Sequence, residues 1–221
     1  MRVYYFTNAD CALNDIEKNW VKVSRFSTLN DPFELFAGSM HDKLRRKQMK
    51  TWAADLDRRR GLLCFSGDWH DPLMWSHYGD RHRGICLGFD VDDGILKKIN
   101  YSPERLRCPA YAGSALEPTR EIEDLLLTTK FARWNYEKER RVIVSEEEWK
   151  SENGLRFRMF DPGLKLTRII AGPRCTKNTE DEINDALQNN DALRDRAFSI
   201  EVIKSRLAFQ TFRVVRNKQG F

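Results

Sequence analysis

Trp134-Asn-Tyr-Glu-Lys-Glu-Arg-Arg-Val-Ile-Val144 runs from a polar, aromatic stretch straight into a strand. Val142, Ile143 and Val144 are β-branched, so Arg140–Ser145 predicts a half-buried strand. Along an extended chain residues i and i+2 point the same way. Glu137 and Glu139 are therefore expected to project two carboxylates onto one face, edged by Trp134 and Tyr136. Such a pair can hold a sugar hydroxyl while one acid stabilises positive charge. The alternative is a sheet edge where the two acids pair with Lys138, Arg140 and Arg141 for little net energy. Taken alone, these residues leave both readings open.

Working outward, further strands are expected at Val3–Thr7, Trp20–Phe26, Gly61–Ser66, Gly84–Asp90, Leu96–Tyr101, Leu164–Gly172, Ala197–Lys204 and Leu207–Val215. Helices are expected from a cap at Asp10 or Asn14 to Asn19, over Arg120–Trp134, and from Thr179, where Thr-x-x-Glu to Glu182 spells a capping box. Pro103 to Pro118 reads as irregular. Strands interspersed with a few helices predict an α+β fold with a largely antiparallel sheet and flanking helices. No repeat or linker divides the 221 residues, so one domain over 1–221 is expected.

Apolar residues make up 41% and charged residues 32%, a folding composition rather than a disordered one. Mean hydropathy is −0.64, and no apolar run approaches membrane-span length. The first residues lack a secretory pattern, and a cytoplasmic location is the expectation. Cys11, Cys64, Cys86, Cys108 and Cys175 form no Cys-x-x-Cys pair and are expected to be core residues.

The net charge of +5 is matched by residues 41–60 alone, where eight basic side chains oppose Asp42, Asp55 and Asp57. Apolar positions from Met40 to Leu56 fall partly on helical spacing, which predicts a basic helical insertion at about 40–60. Arg45, Arg46, Lys47 and Lys50 make nucleic acid a candidate partner through phosphate contacts. A solvated outer face is the plainer reading.

Two further clusters ask for an explanation. Asn30-Asp-Pro-Phe-Glu34 reads as turn and cap chemistry, or as the rim of a pocket. Met74-Trp-Ser-His-Tyr-Gly-Asp-Arg-His82 places Trp75 and Tyr78 three apart, as one aromatic wall, beside His77. His77 and His82 are five apart, a poor spacing for metal, so no metal is expected. Were one present, His70, His77 and His82 would be the first ligands to test.

In this order, Asn30-Asp-Pro-Phe-Glu34, Trp75-Ser-His-Tyr78, Gly84-Ile-Cys-Leu-Gly-Phe89 and Glu137-x-Glu-Arg140 resemble a widespread bacterial family of unassigned function, often encoded near phage-defence or toxin genes. That family is distantly similar to the ADP-ribosyltransferase superfamily. The resemblance implies a split sheet and an enzyme that transfers ADP-ribose from NAD, its substrate, to nucleic acid or protein. It implies Glu139 as the acid favouring an oxocarbenium-like transition state, Glu137 as the orienter of the acceptor, and Tyr78 stacked on nicotinamide. Tyr5, Arg25, Ser27, Asn30, Trp75 and His77 would contact the dinucleotide. A toxin or defence role with an antitoxin partner follows from the same likeness. Tyr5-Phe-Thr7 departs from the pattern by lacking a His or Arg on the first strand. Two competing readings are a nucleic-acid-binding or sensing module without catalysis, and a Mg²⁺ nuclease built on Asp31, Glu34, Glu137 and Glu139.

Overall fold

A computed structural model describes residues 1–39, 42–106, 118–195 and 197–219. The aromatic and β-branched start forms β1 (Arg2–Thr7), and α1 (Ala9–Lys18) follows at once. Its cap is Asn8, whose side chain accepts from Cys11 N at 2.7 Å. Capping therefore falls two residues before the expected Asp10, because a cap must precede the first turn to reach its free amides. Next come β2 (Trp20–Val23), α2 (Lys43–Arg59), β3 (Arg60–Ser66), α3 (Pro72–His77), β4 (Ile85–Val91), β5 (Leu96–Lys98) and β6 (Asn100–Ser102). The chain continues through α4 (Arg120–Leu127), β7 (Thr129–Phe131), β8 (Glu139–Ser145), β9 (Lys150–Glu152), β10 (Leu155–Met159) and β11 (Leu164–Ala171). It closes with α5 (Thr179–Gln188), α6 (Asp191–Arg194), β12 (Glu201–Leu207) and β13 (Val214–Arg216).

Eight strands form one sheet in the order β13-β12-β11-β4-β1-β3-β8-β5. Every neighbouring pair in it is antiparallel except β11 with β12. The fold is thus α+β with a mostly antiparallel sheet. Smaller sheets join β2, β10 and β9, and β6 with β7 in parallel. One side of the large sheet packs Val3, Leu63, Leu87 and Ile169 with Ile16 of α1 and Ile183 of α5. A second cluster gathers Tyr4, Phe6, Cys86 and Ile170 with Met74 and Trp75 of α3. Among the described residues no helix is long and apolar enough to cross a membrane.

The basic stretch is helical, as its spacing predicts, yet it does not stand off the fold. Met49, Trp52 and Leu56 of α2 are buried with Phe26, Leu35, Leu62, Leu126 and Leu127. Arg46, Lys47 and Lys50 are exposed and Arg45 is half-buried. Met40 lies outside the described residues, as do Cys108 and much of the irregular stretch after Pro103. Cys86 is buried, Cys64 and Cys175 are half-buried, and Cys11 is exposed, so Cys11 is not a core residue.

Several boundaries differ from the sequence reading. The helix expected over Arg120–Trp134 stops at Leu127, and Thr129–Phe131 pairs with β6. Thr129 and Phe131 fit a two-residue period as well as a helical one, and pairing with Asn100 and Ser102 selects the strand. Leu96–Tyr101 divides into two strands that join different partners. Thr179 is the first helical residue rather than the cap, and its hydroxyl sits 3.0 Å from that of Thr176.

Candidate functional site

The central sheet is joined weakly at one place. β1 pairs with β4 over six positions and β3 with β8 over seven, but β1 and β3 share one register pair, Tyr4 with Ser66. Where these strands part, a cavity of about 260 Å³ opens, lined by Tyr4–Phe6 on one side and Cys64–Ser66 on the other. Ser24, Thr28, Asn30, Glu34, Tyr78, Lys130, Glu137, Glu139 and Arg141 complete the polar part of its wall.

The sequence places the two key acids differently from a simple extended run. Glu137 ends a short 3-10 turn (Ala132–Glu137), and Lys138 has a left-handed φ of 46°. Only then does β8 begin, at Glu139. Glu137 and Glu139 therefore do not share a strand face as an extended run would place them, because only Glu139 lies on the strand. Lys130 brings the carboxylates together instead, its Nζ donating to Glu137 Oε2 at 2.5 Å and to Glu139 Oε2 at 3.1 Å. Ser66 Oγ donates to the Glu137 carbonyl at 2.7 Å, and Glu139 N donates to Tyr101 Oη at 2.8 Å. These bonds pin the junction from both sides.

Arg141 follows Glu139 on the same face of β8. Its Nε and Nη2 donate to Glu139 Oε1 and Oε2 at 2.7 and 3.1 Å. Nη1 and Nη2 also donate to Glu34 at 2.5 and 2.9 Å, and Nη1 to the Leu127 carbonyl at 2.8 Å. Glu34, Lys130, Glu137, Glu139 and Arg141 are all at least nine-tenths buried. Three carboxylates thus face two cations, a formal excess of one negative charge if all three are ionised. Tyr78 Oη donates to Glu137 Oε1 at 2.5 Å and accepts from Asn30 Nδ2 at 2.6 Å.

The surroundings drive the two glutamates apart. Burial pushes Glu137 above the usual carboxylate range, with Lys130 and Tyr78 opposing it. Glu139 is also penalised by burial, but Arg141 and Lys130 outweigh this and hold it down at about 2. Burial raises Glu34 despite Arg141. Tyr78 is raised by burial and then by the Glu137 charge, so its proton stays on oxygen as the donor to Glu137.

Tyr5, Asn30, Tyr78, Glu137 and Glu139 therefore lie around one cavity, whereas other predicted contacts do not. Strand β2 ends at Val23, and Ser27 turns away to bond Asp57 of α2, Oγ to Oδ2 at 2.8 Å. Arg25 joins the same acid at 3.3 Å. Trp75 is wholly buried, donates through Nε1 to the Trp69 carbonyl at 2.6 Å, and meets Phe6 edge-on at 5.0 Å. It forms no cavity wall with Tyr78, because its ring sits in the core with Phe6 and Met74. Tyr78, the C-cap of α3 whose N–H still bonds the Met74 carbonyl, lines the cavity. Gly79 is required there, because a Cβ would come within 2.9 Å of the Trp75 ring. His77 is exposed, its ring 6.3 Å from that of Tyr78 and 6.1 Å from that of Tyr136.

Among the described residues no group of three or more His, Cys, Asp or Glu could hold a metal ion. His70 Nδ1 sits 2.7 Å from Asp68 Oδ1. The acids of the nuclease reading do converge in part, but Lys130 and Arg141 occupy the place between Glu34, Glu137 and Glu139. Asp31 faces elsewhere, accepting from Phe33 N at 2.9 Å.

The sequence reading missed Lys130 and the inward course of Arg141. Lys130 was masked by a helical-looking stretch, and Arg141 by neighbours that suggested a surface ion pair. A charged residue alternating with Val142 and Val144 at a strand start was the available signal.

Residues 74–115 match a family described as protein of unknown function, DUF2971. The match takes in Tyr78 and strand β4 but less than half of the chain. No curated protein and no solved structure matches it.

Proposed function

We propose that the protein is an ADP-ribosyltransferase-like enzyme that uses NAD as substrate and breaks its nicotinamide–ribose bond in the β1–β3 cavity. The observation that supports this most is the buried cluster of three carboxylates and two cations on the cavity wall, in which Glu139 is held ionised. As the C1′–N bond breaks, its electron pair leaves with the nicotinamide nitrogen and positive charge develops on the ribose. A fixed negative environment, already organised and shielded from water, favours that state. Two titratable groups with divergent proton affinities suggest a division of roles. Glu139 stays ionised and opposes the developing cation. Glu137, whose affinity for a proton is raised, takes the proton of the acceptor as the acceptor bonds to C1′. Tyr78 and Lys130 hold Glu137 in place. The cavity, about 260 Å³, is smaller than pockets that engulf a whole ligand, roughly 300–1,000 Å³. It suits nicotinamide and its ribose, with the adenosine end outside.

On this reading the protein is a cytoplasmic toxin or phage-defence effector, paired with an antitoxin or defence partner, as its motif likeness implies. The test is nicotinamide release by wild type, Glu139→Gln and Glu137→Gln. Glu139→Gln keeps the shape, and Arg141 keeps Glu34, so the fold survives while release falls about a hundredfold or more. Glu137→Gln spares hydrolysis more than transfer to an acceptor. Full activity in a folded Glu139→Gln protein overturns the transferase reading in favour of a binding module without catalysis.

A further inference from the structure

A second cavity, of about 230 Å³, lies against the first, and Lys130 lines both. Two short segments make the partition. In β7, alternation sends Thr129 and Phe131 to one face and Lys130 to the other. Lys130 reaches Glu137 and Glu139, while Thr129 and Phe131 line the second cavity. In Asn30-Asp-Pro-Phe-Glu34, Asn30 and Glu34 serve the first cavity, and Asp31 and Phe33 the second.

The lining is unusual for a void left by packing. Phe33 and Phe131 are 51% and 45% exposed, a large apolar area for two rings that line one cavity. The Arg105 guanidinium lies 4.9 Å from the Phe33 ring centre. Thr129 is 96% removed from water, the complement of its 4% exposure, yet its hydroxyl has no hydrogen-bond partner. A buried polar atom without a partner is costly and calls for an explanation. Asp31, equally buried, accepts from Phe33 N, and a carboxylate retains capacity to accept more.

Flat apolar surface, a cation beside it, an unmet hydroxyl and a buried acceptor match a planar heterocycle with polar edges. We propose that this cavity holds the acceptor as a nucleobase, stacked on Phe33 and Phe131 with its edge on Thr129 and Asp31. The inference rests on the glycosyl-transfer reading for what happens next: the base, set across Lys130 from the ribose, presents a ring or exocyclic nitrogen to C1′. That nitrogen forms the new bond as nicotinamide departs, and its proton passes to Glu137. Because Asp31 accepts, the base turns an N–H edge toward it, an exocyclic amine or a ring N–H.

Binding is measured without NAD, by fluorescence titration of the full chain with free nucleoside monophosphates and with short single-stranded DNA and RNA homopolymers. Nicotinamide release by the wild type is followed separately. Phe33→Ala, at an exposed position, weakens binding about tenfold or more through lost stacking. Thr129→Val keeps shape and burial and weakens it about tenfold through the lost hydrogen bond, with no fall in thermal midpoint. Stronger binding of free monophosphates than of homopolymers assigns the site to a nucleotide, and the reverse to a strand. Wild-type binding lost in both variants, but without nicotinamide release, supports the site and overturns the transferase reading. Nicotinamide release by a protein that binds no base, or whose binding ignores both substitutions, overturns the inference and leaves the transferase reading standing.

Discussion

Lys130 Nζ and Glu137 Oε2 lie 2.5 Å apart, with both side chains nearly sealed from water. Glu139 meets the same ammonium at 3.1 Å. A lysine this buried would ordinarily lose its proton, yet its two acids raise it above the usual lysine range. Its charge is held by the pair, and the pair by its charge.

Lys130→Met tests that dependence. The substitution keeps the apolar stem but leaves three carboxylates facing Arg141 alone. Breaking a buried ion pair from one side costs about 3–5 kcal/mol. In urea unfolding near neutral pH the variant should lose about that much. The deficit should shrink on mild acidification, because Glu137, already raised by burial, takes up a proton once its cation is gone. A deficit independent of pH would show that Lys130 acts through packing alone.

Tyr78→Phe probes the other side of Glu137. The hydroxyl donates to Glu137 at 2.5 Å and favours its ionised form. Without that bond the carboxyl holds its proton more tightly. If Glu137 takes the acceptor's proton, the acidic limb of the pH profile for transfer should move to higher pH in the variant. A bond to a charged group is worth roughly 1.5–3 kcal/mol, or about one to two pH units. An unmoved limb accompanied by a uniformly lower rate would remove Glu137 from that role.

Much of this arrangement was legible in the sequence, for physical reasons. Val142-Ile-Val144 and Ile85-Cys-Leu-Gly-Phe89 could bury their alternating faces only in a sheet, so the strands and the fold class followed. Tyr78, Glu137 and Glu139 were singled out because acids and aromatics at strand ends are hard to account for by packing. Lys130 was not, since its segment obeys two periods at once, and pairing with β6, remote in sequence, decides between them. Arg25, Ser27 and Trp75 were misplaced for a related reason. Asp57 draws the first two toward α2, and Phe6 and the Trp69 carbonyl hold Trp75 in the core, and neither event leaves a local trace.

Acid sensitivity should trace to Glu139. Its carboxyl is held at about 2 in the fold against an ordinary 4.5, so it is a depressed acid. Such a group contributes stability that is complete above 4.5 and is lost as pH falls toward 2. Glu34 and Glu137 are raised and act in the opposite sense, stabilising when protonated and losing that contribution as pH rises. Unfolding free energy measured across this acid window should fall steeply in the wild type and less steeply in Glu139→Gln. Parallel slopes would place the acid transition elsewhere.

A loss of stability between weak acid and about pH 8 should trace to a group outside the site. Asp15 lies on the inner side of α1, 3% exposed, where burial raises its carboxyl to about 8 and Lys22 lowers it only in part. The sign is that of a raised acid. Its stabilising contribution is present while it is protonated and is lost as pH rises through 8. Between the ordinary 3.8 and 8 the wild type should lose about 1.4 kcal/mol of stability per pH unit from this residue, and above 8 the loss levels off. Asp15→Asn has nearly the same shape and cannot ionise, so it should match the wild type near pH 4 and exceed it increasingly up to about pH 8. Urea unfolding of both proteins at about pH 4 and about pH 8 separates the cases. Equal pH dependence in the two proteins would mean that Asp15 is ionised throughout, with Lys22 compensating its charge more fully than burial penalises it.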